Sequence, residues 1–340
     1  MKAGVVGASG YAGVELLRLA AGHSGLDVVV ATAGSNAGQS VASFTPSLAA
    51  GYPSLHYGET SPEALDGLDV VFLALPHGES QDLVPELDRR VGAVVDLAAD
   101  FRLTDPSLYP RWYGEEHRAP AYLPRFAYGL PELFRESLVG ARLVAAPGCY
   151  PTAAALALAP LVRAGLVATE GIIVDAASGI SGAGRAATPS LHFGAVDGNF
   201  TAYGLLDHRH TPEMEQAIGA EILFTPHLAP MTRGILATCY ARPAGGPTPP
   251  TTASALEVVR DFYREEPFVV VTDDPPATKS TAGSNTAHVS VRVDPRTGWI
   301  VALAALDNLV KGAAGQAIQC ANLVLGLPET AGLPVNGLYP

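Results

Sequence analysis

The chain has 340 residues, 48% of them apolar and only 16% charged, with a formal net charge of −12. That length suits two domains, and a charge density well under the usual ~25% excludes intrinsic disorder. Three lysines in an acidic chain supply no basic run to neutralise a phosphate backbone, so nucleic acid is not an expected partner.

No membrane span is expected either. The most apolar run, 153–162, is broken by Pro160 and falls short of the ~20 residues a span needs. The opening MKAGVVGASGYAG alternates glycine with other residues instead of giving the unbroken apolar stretch of a signal peptide. A cytoplasmic protein is expected.

In chain order, Ala3–Val6 reads as a strand and Tyr11–Ala21 as a helix capped by Gly22. Strands follow at Asp27–Ala33, Asp69–Leu75, Ala93–Leu97 and Arg142–Ala146. Continuous apolar strands separated by helices imply a parallel sheet covered on both faces, a doubly wound α/β domain. After about residue 170 the pattern changes. Ile172–Ala177, Glu221–Thr225, Ile235–Arg242, Phe268–Thr272, Ala287–Val293 and Trp299–Leu306 read as strands with few helices between them. Asp294–Gly298 suits a hairpin turn between the last two. An α+β domain with a mostly antiparallel sheet is expected there. The Pro-rich stretch 241–253 reads as a surface connection, and Lys311–Leu325 as a closing helix.

Gly7-Ala8-Ser9-Gly10-Tyr11-Ala12-Gly13 follows a strand and opens a helix. That setting lets glycines give a tight turn and close backbone approach while the helix N-terminus holds a pyrophosphate. A bare glycine triplet could instead be a chance turn in a chain with 36 glycines. The second strand ends Thr32-Ala33-Gly34-Ser35-Asn36 with no acid. A carboxylate is thus missing where it would repel a ribose 2′-phosphate, and Ser35 offers a hydroxyl, so NADP is the expected cofactor.

Cys149, Cys239 and Cys320 lie far apart with no CxxC pair, so neither a disulfide framework nor a metal site is expected. Cys239, within a strand, and Cys320, within a helix, read as buried structural residues. Cys149 stands in Pro147-Gly148-Cys149-Tyr150-Pro151, between a strand and an apolar helix. With Pro151 at the first helical position, the helix dipole would favour its thiolate, the form that attacks carbonyl carbon. A nucleotide site with such a nucleophile points to acyl reduction: attack on an activated acyl group gives a thioester, hydride from NADPH reduces it, and an acid/base completes release of an aldehyde. Histidine suits that last role. His77, which ends a strand of the nucleotide domain beside Pro76, reads as lining the cofactor site, whereas His23 and His56 read as surface or loop residues. The acid/base is left open among His208, His210 and His227, with a capped helix start bearing surface histidines as the plainer reading of the 208–213 segment.

These motifs resemble the N-acetyl-gamma-glutamyl-phosphate reductases of arginine biosynthesis, relatives of aspartate-semialdehyde dehydrogenase. The resemblance rests on GASGYAGVELLRL (7–19), ALPHG (74–78), DLAADFRL (96–103), YGLPEL (128–133), APGCYPTAA (146–154), SGISGAGR (178–185), HRHTPEM (208–214), PHLAPMTRGI (226–235) and DNLVKGAAGQAIQ (307–319). It implies Cys149 as nucleophile and His210 as acid/base, with His227 as the fallback. It implies a substrate-phosphate loop from Ser178 and Gly179 to Arg185, Arg233 as a second anion partner, and Asn308 facing the nicotinamide. It further implies a dinucleotide domain of residues 1–148 and 311–340, a catalytic and oligomerisation domain of 149–310, and a homo-oligomer, dimer or tetramer, acting on a small acyl phosphate. A sister activity on carrier-bound aminoadipyl phosphate in lysine synthesis shares these motifs. A cysteine hydrolase or acyltransferase without redox chemistry, and a nucleotide sensor without catalysis, are the remaining readings. The glycine turn opposes the first and the exposed-turn cysteine the second.

Overall fold

The computed structural model describes residues 1–246 and 249–339. Residues 247 and 248 of the Pro-rich stretch expected as a surface connection lie outside the described residues. The chain forms two compact units, one of Met1–Pro147 with Ala313–Leu333, the other of Gly148–Gly312 with the residues from Pro334 onward.

The first unit holds strands β1 (Lys2–Val6), β2 (Asp27–Thr32), β3 (Val70–Leu73), β4 (Ala93–Asp96), β5 (Ala127–Tyr128) and β6 (Leu143–Ala145), with helices α1 (Tyr11–Ala20), α2 (Glu79–Leu87) and α3 (Pro131–Leu138). The sheet order is β2-β1-β3-β4-β6-β5, and every pair is parallel. β3 (VVFL) and β4 (AVVD) are buried along their whole length, as strands covered on both faces must be. Leu65, Leu73, Val84, Leu87, Val94 and Phe101 pack in one core, each contributing roughly 1.5–3 kcal/mol by burial. The strand order runs outward from β1 in both directions, so the carboxyl ends of β1 and β3 form a topological switch point, where open α/β sheets take ligands.

The helix Gly315–Val324 also belongs to this unit and packs on α1, α3 and β4. Its Gln319 donates to Glu132 at 3.0 Å, and its Asn322 meets His23 at 2.9 Å. His23 is therefore buried, contrary to its reading as a surface or loop residue. Its Nδ1 accepts the amides of Gly25 and Leu26, so the ring staples its own turn to a helix about 300 residues away in sequence.

The second unit holds β7 (Ile172–Gly179), β8 (Thr201–Ala202), β9 (Ile222–Ala229), β10 (Ile235–Ala241), β11 (Val269–Val271), β12 (Ala287–Val293) and β13 (Ile300–Leu306), with α4 (Cys149–Arg163), α5 (Thr211–Ile218) and α6 (Thr252–Phe262). The order is β11-β12-β13-β10-β7-β9-β8. The sheet is mixed, since β7–β9 and β11–β12 pair in parallel. Parallel neighbours need a long crossover, and α5 lies in the one between β7 and β9, where few helices were expected. The Asp294–Gly298 turn closes the antiparallel β12–β13 hairpin, with the Asp294 amide donating to the Trp299 carbonyl at 2.8 Å. α4 is buried from Tyr150 to Leu161, and its alanines let it lie closely on β10, β12 and β13 with α5 and α6 alongside.

The closing helix differs from its expected form. Val310–Ala314 makes a π turn before the α-helix starts at Gly315, and the division between the units falls within that turn. Among the described residues no helix is long and apolar enough to cross a membrane.

Candidate active site

In the first unit the turn from Gly7 to Gly13 links β1 to α1, and its three glycines answer to different constraints. Gly7 has φ +74°, and a Cβ there would lie 2.2 Å from the Ala74 carbonyl oxygen. A Cβ at Gly13 would lie 2.4 Å from the Gly7 oxygen. The chain's own packing fixes both. Gly10 is different: a Cβ there meets only the Gly7 oxygen, at 3.5 Å, and its φ of −74° suits any residue. Gly10 is the N-cap of α1, with no side-chain cap and no acid in the first turn. An open position over an uncapped helix N-terminus is what close approach of a pyrophosphate requires, so the residues present fit a dinucleotide. Ser9, Tyr11 and Ala12 complete this turn.

Asn36 Nδ2 donates to Ser9 Oγ at 3.0 Å, which ties the end of β2, where Ser35 is exposed, to the glycine turn. Pro76 and His77 follow β3, and the contact of Gly7 with Ala74 sets that segment against the turn. His77 Nδ1 lies 2.5 Å from Asp100 Oδ1, with Glu115 at 3.5 Å from Nε2. Burial pushes the Asp100 carboxyl up, but hydrogen bonds from His77 and the Gly78 amide outweigh that and hold it below the usual range. Asp96, fully buried at the end of β4, is pushed up to about 7 by burial and then by the Asp100 charge.

The remaining expected residues lie in the second unit. Cys149 is the first residue of α4, with Gly148 as its N-cap. Pro151 stands third, not first, and is tolerated because the first-turn amides have no intrahelical acceptor. Cys149 is half-exposed, whereas Cys239 and Cys320 are buried. A Cβ on Gly312 would lie 2.8 Å from Cys149 Cβ, so the π turn runs directly against this cysteine.

Tyr150 ties several of these residues to Cys149. Its hydroxyl donates to the His227 carbonyl at 3.0 Å and accepts from Tyr203 at 3.1 Å. The Ser178 hydroxyl also bonds it. The His210 ring centroid lies 6.0 Å from that of Tyr150 and 4.8 Å from that of His208. His210 is the N-cap of α5, and its amide donates to His208 Nδ1 at 3.1 Å. Burial, with a smaller push from Arg209, drives His208 down to about 4, so it is neutral near pH 7. His227 stands within β9, its ring stacked on Phe200 at 5.1 Å.

The loop after β7 is more committed than its glycines imply. The amides of Gly179, Ile180 and Ser181 donate to the carbonyls of Gly234, Met231 and Thr232 at 2.9, 2.9 and 3.2 Å. A Cβ at Gly179 would lie 2.8 Å from the Thr232–Arg233 backbone, and one at Gly182 would lie 2.8 Å from Ser178 Oγ. These glycines serve close packing. Asn308 joins the same two segments, accepting the Gly234 amide at 2.7 Å and donating to Ser181 Oγ at 2.9 Å. Arg233 lies 3.5 Å from the buried Asp307 carboxylate, and Arg185 is exposed beyond the turn.

Sequence reasoning missed Glu213, Tyr150 and Tyr203. Glu213 is the third residue of α5, fully buried, and accepts the Gly148 amide at 2.8 Å. The one signal for it, an acid in the first turn of HTPE, reads as ordinary dipole compensation. Among the described residues no cluster of three His, Cys, Asp or Glu side chains could hold a metal.

Residues 2–141 match the family described as semialdehyde dehydrogenase, NAD binding domain, and residues 149–308 match semialdehyde dehydrogenase, dimerisation domain. The N-acetyl-gamma-glutamyl-phosphate reductase of Symbiobacterium thermophilum is 50% identical over 350 residues, covering 100% of this chain and 99% of that protein. That of Desulforudis audaxviator is 48% identical, with 100% of both covered. Among solved structures, aspartate semialdehyde dehydrogenase II complexed with ASA from Vibrio cholerae superposes with a TM-score of 0.71 at 17% identity, covering 96% of this chain and 98% of that one. Aspartate semialdehyde dehydrogenase with NADP from Candida albicans gives 0.68 at 17% identity, covering 95% and 98%. At such identities these two matches establish the fold alone.

Proposed function

The chain belongs to the N-acetyl-gamma-glutamyl-phosphate reductase family, and we propose that it reduces N-acetyl-gamma-glutamyl phosphate with NADPH to N-acetylglutamate 5-semialdehyde and phosphate, a step of arginine biosynthesis. The observation that carries this reading is Cys149, the half-exposed cysteine, at the first position of a fifteen-residue helix, where the amide dipoles favour thiolate. Its sulfur attacks the acyl carbon, the bond to the phosphate oxygen breaks, and a thioester remains on the enzyme. NADPH, when bound, supplies the hydride that reduces this thioester. His210 gives and takes back a proton at the former carbonyl oxygen as the tetrahedral species on Cys149 forms and collapses to aldehyde. His208, neutral and with Nδ1 engaged by the His210 amide, orients its neighbour instead. His227 remains the fallback acid/base.

Gly7, Ser9, Gly10, Tyr11, Ala12 and Gly13 would hold the cofactor pyrophosphate, Ser35 its 2′-phosphate, and Pro76 and His77 would flank it, with Asn308 directed to the nicotinamide. The substrate phosphate leans on Ser178, Arg185 and Arg233, since the amides of the 179–181 segment are spent on backbone carbonyls. Gly179 contributes by letting the loop lie flat. In this reading residues 1–148 and 311–340 serve the nucleotide, and 149–310 serve catalysis and pairing. The residues of β7 and β10 alternate between buried and half-exposed, which supports a homo-oligomer, dimer or tetramer, built on the half-exposed face of that sheet. The enzyme is placed in the cytoplasm. Nothing favours the sister activity on carrier-bound aminoadipyl phosphate, as the full-length relatives named above are all N-acetyl-gamma-glutamyl-phosphate reductases.

The test is Cys149→Ser. Acyl-phosphate reduction, followed by NADPH oxidation, should vanish while NADPH affinity by calorimetry stays within about 2-fold of the parent. Equal loss of both would remove Cys149 from the role given to it.

A further inference from the structure

Glu213 is a fully buried carboxylate that the reaction above does not use. Its environment is unusual in one respect. It belongs to the first turn of α5, whose N-cap is His210, yet its Oε1 accepts an amide from a different helix start, that of Gly148. Gly148 is the N-cap of α4 and immediately precedes Cys149. The carbonyl side of Gly148 is equally fixed, accepting the Thr152 amide at 3.0 Å and the Thr152 hydroxyl at 2.9 Å. The Glu213 side chain thus bridges the helix start that carries Cys149 and the one that carries His210.

We infer that Glu213 is a positioning residue that sets the interval between Cys149 and His210 by tethering the first turn of α5 to the Gly148 amide. The inference rests on the reading of Cys149 and His210 as the reacting pair. Geometry favours a tether over an electrostatic role. A negative charge beside the start of α4 opposes the thiolate that the helix N-terminus favours, so charge alone gives no benefit there. A fixed span does, because misplacing reacting groups by about 1 Å can cost on the order of 10²-fold in rate.

Two conservative changes separate these roles. Glu213→Gln keeps the length and an accepting oxygen and loses the charge. Glu213→Asp keeps the charge and shortens the reach by one methylene. The tether predicts that Gln retains kcat within about 5-fold of the parent, while Asp falls by roughly 10- to 100-fold, with KM for the acyl phosphate within about 3-fold in both. Rates are normalised to the thiol that iodoacetamide modifies in folded enzyme, which counts Cys149 because the other two cysteines are buried. A merely structural role would lower that count and leave kcat per site unchanged. The phosphate burst on mixing enzyme with acyl phosphate in the absence of nucleotide reads the attack by Cys149 alone. It should slow in Asp and persist in Gln. Asp equal to or faster than Gln, or both matching the parent per site, would overturn the tether. Absence of any burst from the parent enzyme, or a burst surviving in Cys149→Ser, would instead overturn the reading of Cys149.

Discussion

The three glycines of the first turn make a differential prediction. At Gly10 an added methyl group meets one oxygen at 3.5 Å, an ordinary van der Waals contact, with φ at −74°. Replacing an N-cap glycine by Ala costs at most about 1 kcal/mol, so the fold of Gly10→Ala and Gly10→Val should be close to that of the parent. At Gly7 the same methyl must adopt a left-handed backbone, costing about 1–2 kcal/mol, and would sit 2.2 Å from a backbone oxygen, adding about 1–3 kcal/mol of overpacking. Gly13→Ala meets backbone at 2.4 and 2.6 Å and pays a similar overpacking cost. The expected loss is thus about 2–5 kcal/mol for Gly7→Ala, or roughly 4–20 °C in the melting of a unit of this size. The loss on cofactor binding runs the other way. Charge-assisted hydrogen bonds contribute about 1.5–3 kcal/mol each, and losing one such contact from Gly10→Val should raise KM for NADPH about 10- to 100-fold. Calorimetric melting of apo enzyme and steady-state titration of NADPH measure the two effects separately. An unchanged KM in Gly10→Val, or a melting loss in Gly10→Ala as large as in Gly7→Ala, would refute the argument that Gly10 alone is reserved for a ligand.

Two further outcomes follow from the site. His210→Ala should slow turnover by about 10²–10⁴-fold, the range for a general acid/base, with His227→Ala within about 10-fold of the parent; the reverse order in a stopped-flow or steady-state assay would make His227 the proton carrier. Asp96 concerns stability. Its folded value, pushed up to about 7 from an unfolded 3.8, means the folded chain binds the extra proton, so its contribution is complete below about 4 and is lost as pH rises through 7, at no more than about 1.4 kcal/mol per pH unit. Asp96→Asn can still accept from the Ser80 hydroxyl and the Ala98 amide and cannot ionise, so its stability relative to the parent should climb between pH 4 and 7 in urea titrations. A difference flat across that window would show that Asp96 stays ionised in the folded chain.

What the sequence disclosed and what it hid divide along a physical line. The parallel sheet was legible because β3 and β4 carry unbroken apolar runs, and the hairpin because Asp294–Gly298 is a local turn signal. Signals of this kind are complete within a few residues. The second sheet is mostly antiparallel, as expected, but the parallel pairing of β7 with β9 within it was not legible, because it depends on where a chain of more than forty residues returns. His23 was misread for the same reason: its burial is decided by Asn322, far along the chain. The site shows the same division. Cys149 announces itself by its own flanking glycine and prolines, and the glycine turn by its setting between strand and helix. The close packing of the glycines of 178–185 was not legible, because a glycine needed for packing against Thr232 and Arg233 has the same local signature as one reserved for an anion. Glu213 was hidden by a signature that was correct and incomplete. An acid at the third position of a helix is adequately explained by the dipole of that helix, so nothing local asks for a second partner. Only the Gly148 amide, 65 residues away, shows that the carboxylate faces another helix start. Groups whose local role is already satisfied are therefore where a sequence reading of this enzyme is weakest, and the Glu213 variants test that kind of residue directly.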